Sequence, residues 1–183
     1  IKALEVIGSG EAVGRIRLSK MLGLGEGEAR TLVKHLKNEG LIEVSRSGIV
    51  LSKFGEEVFT DLRSQIGKEV EVPESSLTVG PFNTAILVRN MAHIVRHGVE
   101  QRDAAIRVSA SGATTLIFRN KRLIMPGVGE DILREVPTIQ DLLVSSLKPG
   151  ENDVIIIGSA NDKQTAELGA KMAAFKLLKS KER

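Results

Sequence analysis

The sequence contains no cysteine, no tryptophan and no tyrosine, and only 3% of its 183 residues are aromatic. Without cysteine there are no disulfides and no thiolate metal sites, which fits a cytoplasmic protein. Without Trp or Tyr there are few platforms on which unpaired bases stack, so single-stranded nucleic acid is a poor fit. Apolar runs are short: none approaches the ~20 residues that span a bilayer, and no membrane partner is expected. No signal peptide is visible, although a chain opening at Ile1 suggests a start further upstream. Nor is there a large charge excess. Lys and Arg number 26 against 23 Asp and Glu, a net charge of +3. That mild basicity is compatible with nucleic acid but is no basic tail.

What is present is the make-up of a soluble globular protein, 42% hydrophobic and 27% charged. The length holds one large or two small domains. The most informative stretch runs from Gly14 to Ser52. A basic segment, Arg15 to Leu22, is followed by the turn Gly23-Leu24-Gly25 and by a second helix, Glu26 to Asn38. Two helices joined by a Gly-containing turn form a helix-turn-helix. Leu41-Ile42-Glu43-Val44-Ser45-Arg46 and Ile49-Val50-Leu51-Ser52 then flank Ser47-Gly48, a hairpin in which Gly48 supplies positive φ. Ile1 to Gly8 reads as the end of an earlier helix, and Ser52 as the cap of a later one that buries Val58, Phe59, Leu62 and Ile66.

In the second helix Ala29, Leu32, Val33 and Leu36 recur at helical spacing and face a core, with Leu18 and Leu22 packing across the turn onto Leu32. At roughly 100° per residue, Gly27, Thr31, Lys34 and Asn38 fall on the opposite face, with Arg30 and His35 on its flanks. Such cations, amides and hydroxyls contact phosphates and base edges. Arg17 and Lys20 on the first helix, Arg46 at the hairpin tip and Lys53 at its exit complete the expected DNA-binding set. From Arg15 to Lys53 eight Lys and Arg stand against four Glu, an excess of four. A helix with cations outside is, taken alone, more often a solvated face. The turn and wing in sequence order favour the DNA reading.

Leu22 to Leu32, followed by Leu36-Lys37-Asn38-Glu39-Gly40-Leu41-Ile42, resembles prokaryotic winged helix-turn-helix transcription regulators. Leu51 to Glu57 is similar to the segment by which their wing passes to a closing helix. The whole chain resembles an archaeal group in which such a module precedes a C-terminal domain of undescribed function. The resemblance implies double-stranded DNA as partner and regulation of transcription. The chain departs from the pattern at Glu26 and Glu28, which set negative charge at the start of the recognition helix.

The expected division is a winged-helix domain over 1–67, a linker over 68–74 marked by Gly67, Pro73 and alternating charges, and a C-terminal α/β domain over 75–183. In that last part Thr84–Val88 reads as a strand, Asn90–His97 as a short helix and Glu100–Val108 as a helix. Thr114–Phe118 and Leu123–Met125 flank the turn Asn120-Lys121. Ile139–Leu147 is a helix, Val154–Ile157 a strand buried on both faces, and Lys163 to Lys179 a final helix. The order β-α-β-β-α-β-α indicates an α/β sandwich of ferredoxin-like type. The overall class is α/β (α+β).

Two small-residue stretches are candidate ligand sites: Ser109 to Thr115, contributing Ser111, Gly112 and Thr114, and Gly158 to Asp162, contributing Ser159 and Asn161. The second opens a helix, where backbone amides attract anions. Arg102 stands one helix before the first. Turns and caps use the same residue types without any ligand. His93 and His97 lie four apart, but Ile94 stands where a zinc-protease glutamate would be. No metal, cofactor or catalytic set is expected. The final helix carries apolar residues on more than one face, from Ala166 to Leu178, which suggests a homodimer. Two alternatives differ in class. One is an enzyme fused to a winged helix, as in archaeal riboflavin kinases of that layout. The other is a winged-helix module for protein contacts.

Overall fold

The computed structural model describes residues 2–128 and 135–180, so the expectation placed on Ile1 lies outside the described residues. The chain divides between Ser64 and Gln65 into two compact units.

The first unit contains α1 (Lys2–Ile7), α2 (Arg15–Leu22), α3 (Glu26–Asn38), β1 (Ile42–Ser45), β2 (Gly48–Leu51) and α4 (Lys53–Gln65). Ile7, Val13, Leu18, Ile42 and Ile49 form its core, with Leu22, Val33, Leu36 and Leu41 packed around them. Val33 and Leu36, half-buried like Leu32, pack α3 against this core. Gly23 ends α2 in the left-handed region (φ 67°), and its N–H donates to the Lys20 carbonyl at 3.2 Å. Ser19 Oγ closes the same turn on the Leu24 carbonyl at 2.7 Å. At the start of α3 the Gly25 N–H donates to Glu28 Oε2 at 2.8 Å. Glu28 thereby makes the returning half of a capping box. The other half is missing, because Gly25 has no side chain.

β1 and β2 pair antiparallel from Ile42↔Leu51 to Ser45↔Gly48. Arg46 and Ser47 therefore occupy the turn and Gly48 opens β2, so turn and strand both come one residue earlier than expected. Gly48 still holds positive φ (133°). A Cβ there would also crowd the Ala12 backbone at 3.1 Å. Val13 adds a third strand position, exchanging two 2.9 Å backbone bonds with Ile49. Ser52 caps α4 as expected: its Oγ accepts from the Gly55 N–H at 2.9 Å and donates to the Gly40 carbonyl.

The second unit contains β3 (Ile66–Glu71), β4 (Phe82–Val88), α5 (Val99–Ile106), β5 (Gly112–Arg119), β6 (Arg122–Ile124), α6 (Pro137–Leu147), β7 (Val154–Ala160) and α7 (Lys163–Lys179). Its five strands lie in the order β3-β4-β7-β5-β6, every neighbouring pair antiparallel. The expected linker is thus corrected in its first half, since residues 66–71 are an edge strand. The charges and glycine that mimic a linker suit an edge. Gly67 passes Leu87 so closely that a Cβ would sit 2.9 Å from Leu87 Cδ2, and a bulge lies between Ile66 and Glu69.

The ferredoxin-like expectation is corrected as well. That arrangement would insert β6 between β4 and β5. Here β7 takes the central place, and three-residue β6 is left at the edge. The reason is burial: all seven residues of β7 are buried, and only a central strand is covered on both faces. α6 packs Ile139, Leu143 and Leu147 on the face bearing Ala85, Leu87, Leu116, Ile155 and Ile157. α5 and α7 cover the other face, where Ala105, Ala110, Ala160 and Ala166 meet. The α7 backbone lies on Gly158, whose absent Cβ would sit 2.4 Å from Ala170 N.

Residues 90–97 form turns instead of the expected helix. Asn90 is left-handed (φ 50°), its N–H donates to Asp153 Oδ1 at 2.8 Å, and Ala92 N–H donates to the Asn152 carbonyl. Donors committed to that loop are lost to a helix. The helical spacing of His93 and His97 loses its meaning with it. In α7, Ala166, Ala170, Ala173, Ala174, Leu177 and Leu178 are buried within the unit, and Leu168 stays 46% exposed. The apolar surplus behind the dimer expectation is therefore absorbed internally. No described helix is long and apolar enough to cross a membrane.

Candidate nucleic-acid interface

The orientation of α3 is fixed by Ala29, which is fully buried, with Val33 and Leu36 turned to the core. Gly27, Arg30, Thr31, Lys34, His35 and Asn38 are then all exposed, as the helical angle predicts. Among the described residues neither Arg30 nor Lys34 is held in an ion pair, so both guanidinium and ammonium face solvent. Thr31 Oγ1 donates to the Gly27 carbonyl at 3.1 Å. Its hydroxyl proton is used inside the helix, and the oxygen remains an acceptor. Of the two acidic residues at the helix start, Glu28 is engaged by Gly25 and Glu26 is exposed.

Around this face stand the other expected contacts. Arg17 is exposed and lies 3.6 Å from Glu11, both side chains well over half exposed. Such a pair is worth little and yields readily to a phosphate. Lys20, Arg46 and Lys53 are exposed. Arg46 sits in a turn stiffened by Ser45 and Ser47, whose hydroxyls are 2.6 Å apart. Wing tip and recognition helix both present cations on a rigid frame.

In the second unit the two small-residue stretches meet. Gly112 is the register partner of Ser159, and the Ser111 N–H donates to the Ser159 carbonyl at 2.8 Å. Their hydroxyls are largely employed in the fold. Thr114 Oγ1 donates to the Leu77 carbonyl at 2.7 Å, and Ser159 Oγ accepts from the Val79 N–H at 3.2 Å. Ser159 is in strand β7 and fully buried, so the expected turn over 158–162 is shortened to its last two residues. Asn161 and Ser111 are exposed. Arg102 is half exposed and pairs with Asp103 at 2.9 Å. The anion-attracting start of α7 is already capped by its own Asp162, which accepts from Thr165 N–H at 2.9 Å and Thr165 Oγ1 at 2.7 Å. The amide hydrogen bond, then the hydroxyl, hold the Asp162 carboxyl below its ordinary range.

Sequence reasoning missed Asn83. It pairs in register with Ser159, is 4% exposed, and has both amide atoms buried without a hydrogen-bond partner. Its signal was an amide inside the apolar run Phe82–Val88. Among the described residues, no three His, Asp or Glu side chains gather as a metal site requires.

A helix-turn-helix with a wing, its outer face cationic, defines a winged-helix module joined to a domain of helices on an antiparallel sheet. Residues 1–66 match the CggR N-terminal DNA binding domain. Residues 79–177 match the family described as Domain of unknown function (DUF4443), and the chain belongs to that family. Among solved structures, the hypothetical protein PH0730 from the archaeon Pyrococcus horikoshii OT3 is 26% identical, with a TM-score of 0.66 over 98% of this chain and 97% of that one. The hypothetical protein SSo2273 from Sulfolobus solfataricus is 25% identical over 33% of this chain and 50% of its own, with a TM-score of 0.31. No curated protein matches. The chain therefore carries a DNA-binding domain of the CggR type and a second domain whose family has no described function.

Proposed function

We propose that the protein is a transcription regulator that binds double-stranded DNA sequence-specifically, placing α3 in the major groove and Arg46 of the wing on the backbone. The observation that carries this reading is the ion-pair-free, exposed pair Arg30 and Lys34 on a helix whose rotation the core fixes. Thr31, His35 and Asn38 beside them supply base-edge chemistry, and Arg17, Lys20, Gly27 and Lys53 line the approach to phosphates. One winged helix makes few contacts, so operator affinity calls for two copies on two half-sites about one helical turn apart. The second domain is the place for control by a small molecule. Its candidate contacts are Arg102, Ser111, Gly112, Thr114, Ser159 and Asn161, and the unsatisfied Asn83 amide lies in register with Ser159.

The test is a genome-wide binding selection with purified full-length protein, followed by gel shifts with Arg30→Ala and Lys34→Ala. Each substitution should cost about 1–3 kcal/mol if its side chain reads a base. Unchanged affinity in the double variant, with the fold intact, removes α3 from the DNA. Sedimentation with and without operator decides the pairing.

A further inference from the structure

Cations gather a second time, at the end of the C-terminal sheet where β4 and β5 finish and β7 begins. Three segments meet there. The Asp153 carboxylate joins two of them: it accepts from the Asn90 N–H at 2.8 Å, the Gly150 N–H at 2.8 Å and Arg89 Nη1 at 3.1 Å. The third is held by the Asn152 N–H on the Phe118 carbonyl at 3.0 Å, and by the Asn120 N–H on the Glu151 carboxylate at 3.1 Å. Residues 89–97, 119–122 and 148–153 together carry six Lys and Arg (Arg89, Arg96, Arg119, Lys121, Arg122, Lys148) against Glu151 and Asp153, an excess of four in nineteen residues. The winged-helix stretch needs thirty-nine residues, 15–53, for the same excess.

The Asp153 carboxylate is buried on loop amides, whereas Glu151 is exposed and accepts from the Asn120 N–H. Arg96, Arg119, Lys121, Arg122 and Lys148 are all exposed. Asn120 and Lys121 form the two-residue β5–β6 turn with φ of 52° and 60°, and Lys148 holds φ 49°.

We infer that this basic sheet end is a second phosphate-contact surface of the protein for duplex DNA. The inference rests on the DNA-binding reading of the first unit. A predominantly positive surface suits a regularly charged polyanion. The surface holds no Phe, Tyr or Trp among residues 89–97, 119–122 and 148–153, so its contacts are assigned to the backbone, which carries no sequence information.

The experiment is a salt titration of full-length protein on its selected operator. Lys121→Gln and Lys148→Gln are made singly, and with Arg119→Gln as a triple variant. Each lost phosphate contact should lower the slope of log K against log salt by about 0.9, hence by roughly 2.7 for the triple, with the preferred sequence unchanged. The single variants keep the test sound if the triple unfolds. Slopes equal to wild type overturn the second surface while leaving the winged-helix reading intact. A changed sequence preference overturns its backbone role. Loss of slope on binding an acidic polypeptide, with none on DNA, assigns the surface to a protein partner instead. If wild-type protein binds no duplex at all, this inference falls together with the reading beneath it.

Discussion

Lys171 Nζ lies 3.0 Å from Glu69 Oε1, tying the middle of α7 to the edge strand β3. The same ammonium is 2.9 Å from Glu167, one turn earlier on the helix. Only 7% of the lysine side chain is exposed, and an ammonium so far from water needs such partners. A second pair, Lys163 with Glu71, repeats the link further along. These ionic ties add to the β4 ladder and to the packing of Val70 in the core in holding the edge strand in place.

Replacing Lys171 by Met should therefore destabilise the second unit. A wholly buried pair loses about 3–5 kcal/mol when one partner is removed. Here Glu69 and Glu167 are 30% and 22% exposed, which scales the loss to about 1–3 kcal/mol. Denaturant unfolding reads it, and adding Glu69→Gln should recover part. A midpoint equal to wild type shows the tie contributes nothing.

The wing offers a prediction about kind rather than size. Arg46→Ala should weaken DNA binding to a similar degree across sequences and lower the salt slope by about one. Comparing a selected operator with random duplex over a range of salt checks this. A shift in preferred sequence means that Arg46 reaches a base.

Gly55→Ala pits two effects against each other. Alanine gains up to about 1 kcal/mol of helix propensity. Its Cβ, however, would stand 1.9 Å from the Leu41 carbonyl oxygen, which only a backbone shift relieves, and overpacking of this sort costs about 1–3 kcal/mol. The overlap wins. Thermal unfolding should show a destabilised first unit, and a raised melting temperature means that α4 moves away freely.

Asp162→Ala should destabilise α7, and the deficit should depend on pH. The carboxyl sits below its ordinary pKa of 3.8 through the Thr165 bonds. A depressed folded pKa adds stability that is complete above the unfolded value and disappears as pH falls through the folded one. Wild type and variant should therefore differ most at neutral pH and converge in acid below the carboxylate range. A difference independent of pH shows that the charged cap is not the cause.

The first unit was legible because its signals are local. Gly23 at the turn, the stripe through Ala29, Val33 and Leu36, the Ser52 cap and Gly48 beside the wing tip each act within a few residues. The cationic face of α3 followed from helical angle alone. The second unit turns on distant partners. β3 read as linker because nothing in Gly67, Lys68 and Glu69 announces the strand that pairs with them. The place of β7 was settled by competition among strands for the covered centre. Ser159 and Thr114 were recognisable as small polar residues, but their bonds to Val79 and Leu77 reach across eighty and thirty-seven positions. The Asn83 amide had no local signature beyond its oddness in an apolar run.

The direct passage from α4 into β3 bears on how such chains can be recombined. A cut at the Pro73 stretch, where a tether would have been sought, strips β3 from the sheet. It leaves the backbone donors and acceptors of Thr84–Val88 open along one side, a ready template for edge-to-edge aggregation. A graft that exchanges one reading head for another must keep Gln65 onward with the C-terminal partner. Exchange of the two units as separable cassettes is thereby confined to the short junction of α4 and β3, around Ser64 and Gln65.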